Sequence, residues 1–91
     1  MTWTTDELTA YLQRGGLSFT VSERFNKPDD VWIVSREGGQ VQSVMITRHA
    51  TPADAAASAK SDPGKSYAWG RFVLWGESSD FFRNVRAALA D

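Results

Sequence analysis

Val31-Trp32-Ile33-Val34-Ser35-Arg36-Glu37-Gly38-Gly39-Gln40-Val41-Gln42-Ser43-Val44-Met45-Ile46-Thr47 is the stretch on which the fold turns. Two apolar runs flank a pair of glycines, and a tight two-residue hairpin loop needs positive φ at both central positions, which glycine adopts at little steric cost. With Gly38-Gly39 as the loop, the register follows by counting. Glu37 faces Gln40, Ile33 faces Val44 and Val31 faces Ile46 on one side of the ribbon. Trp32 faces Met45, Val34 faces Ser43 and Arg36 faces Val41 on the other. The hairpin therefore has two chemically different faces, one aliphatic and one carrying Trp, Met and Arg.

Upstream of the hairpin, Leu17, Phe19, Val21 and Phe25 alternate with Ser18, Thr20, Ser22 and Arg24, the period of a half-buried strand, and Glu23 is the one break in the pattern. Asn26-Lys27-Pro28-Asp29-Asp30 is a turn by composition. A helix precedes that strand: Thr4-x-x-Glu7 has the spacing of a capping box, Trp3 is placed to staple against Leu8, and Leu8, Tyr11 and Leu12 form the buried side. Gly15-Gly16 ends it.

Downstream, Thr51 with Pro52 behind it and Asp54 near the free N–H groups starts a second helix. Its Ala53, Ala56, Ala57 and Lys60 are expected to form a small-residue face, and Asp62-Pro63-Gly64 stops it. Ser66 to Trp75 reads as one long strand. Ser78-Ser79-Asp80 caps a last helix whose Phe81, Phe82, Val85, Ala88 and Leu89 make an apolar stripe. The expectation is a single α+β domain over residues 1–91, in the order α-β-β-β-α-β-α. Three helical stripes and one strand face need the same dry layer, which places a four-stranded, mainly antiparallel sheet beneath helices lying mostly on one face.

Composition narrows the function. Eleven of the 38 hydrophobic residues are alanine, so the core must come from 27 larger side chains, including four Trp, five Phe and two Tyr. The net charge of −1 leaves neither a polybasic patch nor an acidic tail. With no cysteine, disulfides, thiolate chemistry and Cys-ligated metals are excluded, and a reducing compartment fits. No apolar run is long enough to span a bilayer and the first residues lack the features of a signal peptide, so the expected location is cytoplasmic.

Several motifs match on paper. Ala59 to Ser66 fits the relaxed phosphate-loop pattern [AG]-x-x-x-x-G-K-[ST], but that chemistry needs a strand before the loop and a helix after it. Here the order is reversed, and the segment reads as a Pro-Gly turn with a solvated Lys65. Lys65-Ser66-Tyr67-Ala68-Trp69-Gly70-Arg71-Phe72 resembles the aromatic octapeptide of RNA-recognition motifs, matching at Lys65, Tyr67, Ala68 and Phe72 and in kind at Trp69. Ser66 and Gly70 depart from that pattern, and the β-α-β-β-α-β order the resemblance implies is not the order read here. His49 is the lone histidine, without the companions a metal site or catalytic triad needs. Asp29-Asp30 reads as a turn pair that satisfies backbone N–H groups. No cofactor or metal site emerges, and no catalytic residue is assigned.

The long strand carries the functional expectation. One face has Ala68, Gly70, Phe72 and Leu74, small enough at its start to lie under helices. The other has Tyr67, Trp69, Arg71, Val73 and Trp75. Joined by Trp32, Arg36 and Met45, and rimmed by Ser18, Thr20, Ser22 and Arg24, this second face is expected to be an open patch of the residue types enriched at protein interfaces. The competing structural reading makes these aromatics core. The functional expectation is a non-enzymatic module that binds a protein partner or a second copy of itself through Trp32, Arg36, Met45, Tyr67, Trp69, Arg71 and Trp75, possible roles being those of an accessory, chaperone-like or inhibitor protein. The alternative is a single-stranded nucleic-acid binder that stacks bases on the Tyr67/Trp69/Arg71/Trp75 face, a reading opposed by the near-neutral charge.

Overall fold

The register deduced from the glycine pair is the one the chain adopts. In the computed structural model, which describes residues 3–25, 30–36, 39–62, 64–76 and 80–90, β2 (Asp30–Ser35) and β3 (Gln42–Arg48) are antiparallel, with Val31 opposite Ile46, Trp32 opposite Met45, Ile33 opposite Val44 and Val34 opposite Ser43. Gly39 has φ 76°. Glu37 and Gly38 lie outside the described residues, as do Asn26 to Asp29 and the Glu77 to Ser79 segment in which the last helix was expected to be capped.

Around this hairpin stand α1 (Thr5–Arg14), β1 (Thr20–Phe25), α2 (Pro52–Lys60), β4 (Ser66–Trp69), β5 (Phe72–Gly76) and α3 (Asp80–Ala90). The antiparallel sheet has the order β1-β2-β3-β5-β4. The domain is α+β as expected, but with five strands rather than four. Ser66 to Trp75 is not one strand: it folds back at Gly70-Arg71, where Gly70 takes φ 58°, so that Trp69 sits opposite Phe72. Glycine at the first loop position is the signature of a tight hairpin turn.

One face of the sheet holds the main core. Val31, Ile33, Val44, Ile46, Phe72 and Leu74 are fully buried there against Leu8 and Leu12 of α1 and Phe81, Phe82, Val85 and Leu89 of α3. These helices are amphipathic stripes that cannot stay dry alone, and the aliphatic side of the hairpin supplies the matching layer. The capping box of α1 is formed: Glu7 N–H donates to Thr4 Oγ1 at 3.2 Å and Thr4 N–H donates to Glu7 Oε1 at 3.0 Å. At its other end Gly16 N–H reaches the Gln13 carbonyl and Leu17 N–H the Leu12 carbonyl, the paired bonds of a Schellman motif. At the start of α3 the Phe81 N–H donates to Gln42 Oε1 of β3 at 2.9 Å.

The third helix lies on the other face. α2 packs on β4 and β5, where Ala55 is fully buried and Val73 nearly so, and neither belongs to the main core. The small-residue face differs from the expected one: Ala55, with Ala59 half-buried beside it, faces the sheet, while Ala53, Ala56, Ala57 and Lys60 are exposed. The break at Glu23 is also physical. A bulge between Val21 and Glu23 inserts an extra residue, so Glu23 lies opposite Trp32 and Arg24 opposite Val31. Arg24 thereby turns to the helix side and meets Asp6 of α1 at 2.7 Å; it is not on the open face with Thr20, where the straight alternation places it.

Candidate functional site

Residues directly opposite one another in an antiparallel sheet share a face, so the strand pairings define a row across the molecule. Glu23, Trp32, Met45, Trp75 and Ser66 follow each other on β1, β2, β3, β5 and β4. Trp32, Met45 and Trp75 are half-buried, and none joins the hydrophobics packed against the main core. The two indoles reach across the strand bearing Met45 and meet edge to face, with centroids 6.1 Å apart and planes at 84°, a geometry the ring quadrupoles favour. Val34 and Ser43 form the next pair toward the Gly39 end, with Thr20 opposite Val34. Exposed Arg36 lines a shallow depression of about 330 Å³ with Ser18, Thr20 and Val34.

The remaining expected site residues lie elsewhere. Because the Gly70-Arg71 loop has two residues, Tyr67 and Trp69 share a face with Phe72 and Leu74 rather than with Val73 and Trp75. They pack against the main core. Trp69 stacks on Phe72 and Tyr11, and Trp3 closes the group at 5.4 Å from Trp69 and 5.2 Å from Tyr11. The Arg86 guanidinium lies 5.7 Å from the Tyr67 ring centroid and 5.5 Å from that of Phe82. Arg71 is a turn residue that ties the hairpin to β3: its Nε donates to the His49 carbonyl at 3.0 Å, and its own carbonyl accepts the His49 N–H at 2.7 Å. Tyr67, Trp69, Arg71 and Trp75 therefore do not form one surface on which successive bases could stack.

A groove of about 410 Å³ adjoins the Trp row where the C-terminal end of α2 overhangs the sheet. Met45 and Trp75 line it together with Asp30, His49, Ser61 and Asp62. Asp62 anchors the indole, accepting from Trp75 Nε1 at 3.1 Å. Asp30 accepts the Arg48 backbone N–H at 3.2 Å; this donor is on β3, not one of the local N–H groups that the turn reading expected it to satisfy. Thr47 Oγ1 and His49 Nε2 are 3.2 Å apart. Among the described residues no three His, Asp or Glu side chains converge as metal ligands. Lys65 follows the turn after α2 and precedes β4, the reverse of the order a phosphate-binding loop needs. Asp62 and Ser61 were not among the expected site residues; Asp62 was read as a helix stop, and no local spacing links it to an indole thirteen residues away.

No protein-family model matches the chain, and no curated protein or solved structure matches it significantly.

Proposed function

We propose that this chain is a non-enzymatic interaction module that binds a protein partner, or a second copy of itself, through the Trp32-Met45-Trp75 face. The observation that carries this reading is the row itself: three large apolar side chains lie side by side at the middle of a sheet, on the face away from the main core, and α2, on the same face, packs on β4 and on β5 at the Trp75 end of the row. Trp and Met are the types that anchor protein interfaces, and two indoles braced against each other lose little side-chain freedom on binding. Docking on the face, rather than by strand addition, also suits the sheet. β1 is bulged and its Arg24 is tied to α1, which makes that edge a poor template for another strand. Among the described residues no three His, Asp or Glu side chains converge, and the hydroxyl beside the imidazole of His49 is that of Thr47, which lies 3.4 Å from the Val73 carbonyl it donates to. The absence of cysteine agrees with a cytoplasmic location.

The test compares the protein with its Trp32→Ser and Met45→Ser variants in sedimentation velocity over a broad concentration range, and as immobilised bait for lysate of the native host. Self-association or a captured protein that both substitutions abolish supports the reading. A strict monomer that captures nothing, or an assembly indifferent to both substitutions, overturns it.

A further inference from the structure

Resting on that reading of the face, we infer that its occupant is a second copy of this chain, docked so that each protomer's α2 lies on the uncovered half of its partner's sheet. The open face is a step. On one half α2 packs on β4 and β5, burying Ala55 and Val73. On the other half, β1 and β2 leave Thr20 and Glu23 exposed and Trp32 and Val34 half-buried. The far side of α2 is bare as well. At the helical repeat Ala53, Ala57 and Lys60 lie within about 40° of the direction opposite Ala55, and all three are exposed. Alanine at such a ridge lets another layer approach the helix closely.

One two-fold axis satisfies both surfaces at once. β3 is the middle strand, and about it the sheet reads Trp32-Met45-Trp75 in either direction. An axis parallel to β3, between two facing sheets, exchanges β1 and β2 with β4 and β5. Each ridge then meets the partner's bare half, the Trp row fills the space between the two helices, and the interface is self-complementary as a two-fold dimer requires. The lengths agree. α2 follows Arg48, which pairs with Phe72, and ends where Asp62 holds Trp75. Its ridge from Ala53 to Lys60 is about 10 Å long, as is the strand from Phe72 to Trp75, so Lys60 stands level with the Trp row. Rotation about the axis keeps that level and brings Lys60 to the partner's Glu23, the β1 member of the row. Both residues are exposed, and among the described residues neither is in an ion pair. The other in-plane axis, along the row, would set α2 on α2, face Glu23 with Glu23 and leave both bare halves uncovered. An unrelated partner has to supply a helix ridge and a cation at this spacing; a second copy already carries both.

Sedimentation velocity of the full chain over a broad concentration range is the test, and a dimer is expected. Ala57→Glu, which sets a carboxylate on the exposed ridge, should weaken it about tenfold or more. Glu23→Lys and Lys60→Glu should each weaken it about fivefold or more, since each reverses two contacts per dimer. An equimolar mixture of these two variants should restore dimers, because only opposite charges meet in the mixed pair, and restoration also shows that both variants fold. A strict monomer, a dimer indifferent to Ala57→Glu or to either charge reversal, or a mixture no tighter than each variant alone overturns the inference. The two readings fail separately. A monomer that captures a host protein, with capture lost in Trp32→Ser, keeps the face and removes the second copy as its occupant. A dimer weakened by Ala57→Glu and by the reversals, but not by Trp32→Ser or Met45→Ser, keeps α2 on the partner's sheet and removes the Trp row as the anchor.

Discussion

Two groups of aromatic side chains flank the same sheet on opposite faces, and they differ in what lies behind them. Trp3, Tyr11, Tyr67 and Trp69 extend the main core outward from Phe72, with α1 and Arg86 of α3 closing over them. Trp32 and Trp75 meet each other across Met45, and Trp75 is held by Asp62 just after α2, none of the three side chains of the row joining the main core. All are half-buried, so exposure alone does not separate them. What separates them is connectivity: one group is a continuation of the fold and the other a layer laid upon it. The comparison teaches that residue type and partial exposure are insufficient to name an interface, since half-buried Trp side chains lie both against the main core and away from it within 91 residues.

The largest effect should come from the first group. Trp69 touches Trp3, Tyr11 and Phe72, and its loss opens the seam between α1 and the β4-β5 hairpin. Trp69→Ala is expected to destabilise the chain by about 2–3 kcal/mol, the low end for a large aromatic because the ring is half-buried. For a chain of this length that lowers Tm on the order of 10–15 °C, readable by circular dichroism. A Trp69→Ala protein that melts normally but no longer associates would move Trp69 back into the interface and dissolve the distinction.

An intermediate effect is expected where the second group touches the fold. Trp75→Phe retains a ring against Trp32 but removes the bond to Asp62, costing about 1 kcal/mol. Because that bond ties the end of α2 to β5, hydrogen exchange at Ser61 and Asp62 should quicken more than exchange in α3. Uniform quickening across the chain would show that Trp75 belongs to the cooperative core after all.

How far these roles were legible in the sequence depends on where the loops were visible. Gly38-Gly39 announced a turn, and counting from it placed Trp32 against Met45 and Ile33 against Val44 without error. Thr4 with Glu7, and the Phe81 to Leu89 stripe, were equally local and equally readable. Gly70-Arg71 was hidden because aromatic alternation runs straight through it, and a two-residue loop reverses which parity faces the core. Carrying the alternation from Tyr67 to Trp75 therefore merged two opposite faces into one patch. In β1 the same kind of shift, one bulged residue, sent Arg24 to Asp6. The groove was beyond reach for another reason: it joins Asp30, Met45, Asp62 and Trp75 from separate segments, and only the sheet order brings them together.

The smallest effect on stability, and the sharpest on association, belongs to Trp32. Its ring lies outside the main core and its backbone pairs with Glu23 and Met45 whatever side chain it carries. Trp32→Ser should change unfolding free energy by less than about 1 kcal/mol, because serine leaves no buried donor stranded and the ladder is untouched. Binding energy at interfaces concentrates in a few aromatic anchors, so the same substitution should weaken association about tenfold or more. Urea unfolding and sedimentation velocity on one preparation measure both. A ratio of that kind, association lost and stability kept, is the reverse of what Trp69→Ala should give, and the pair of variants tests the two faces against each other. If Trp32→Ser unfolds the chain as Trp69→Ala does, the open row is structural, and the binding surface must be sought away from the sheet.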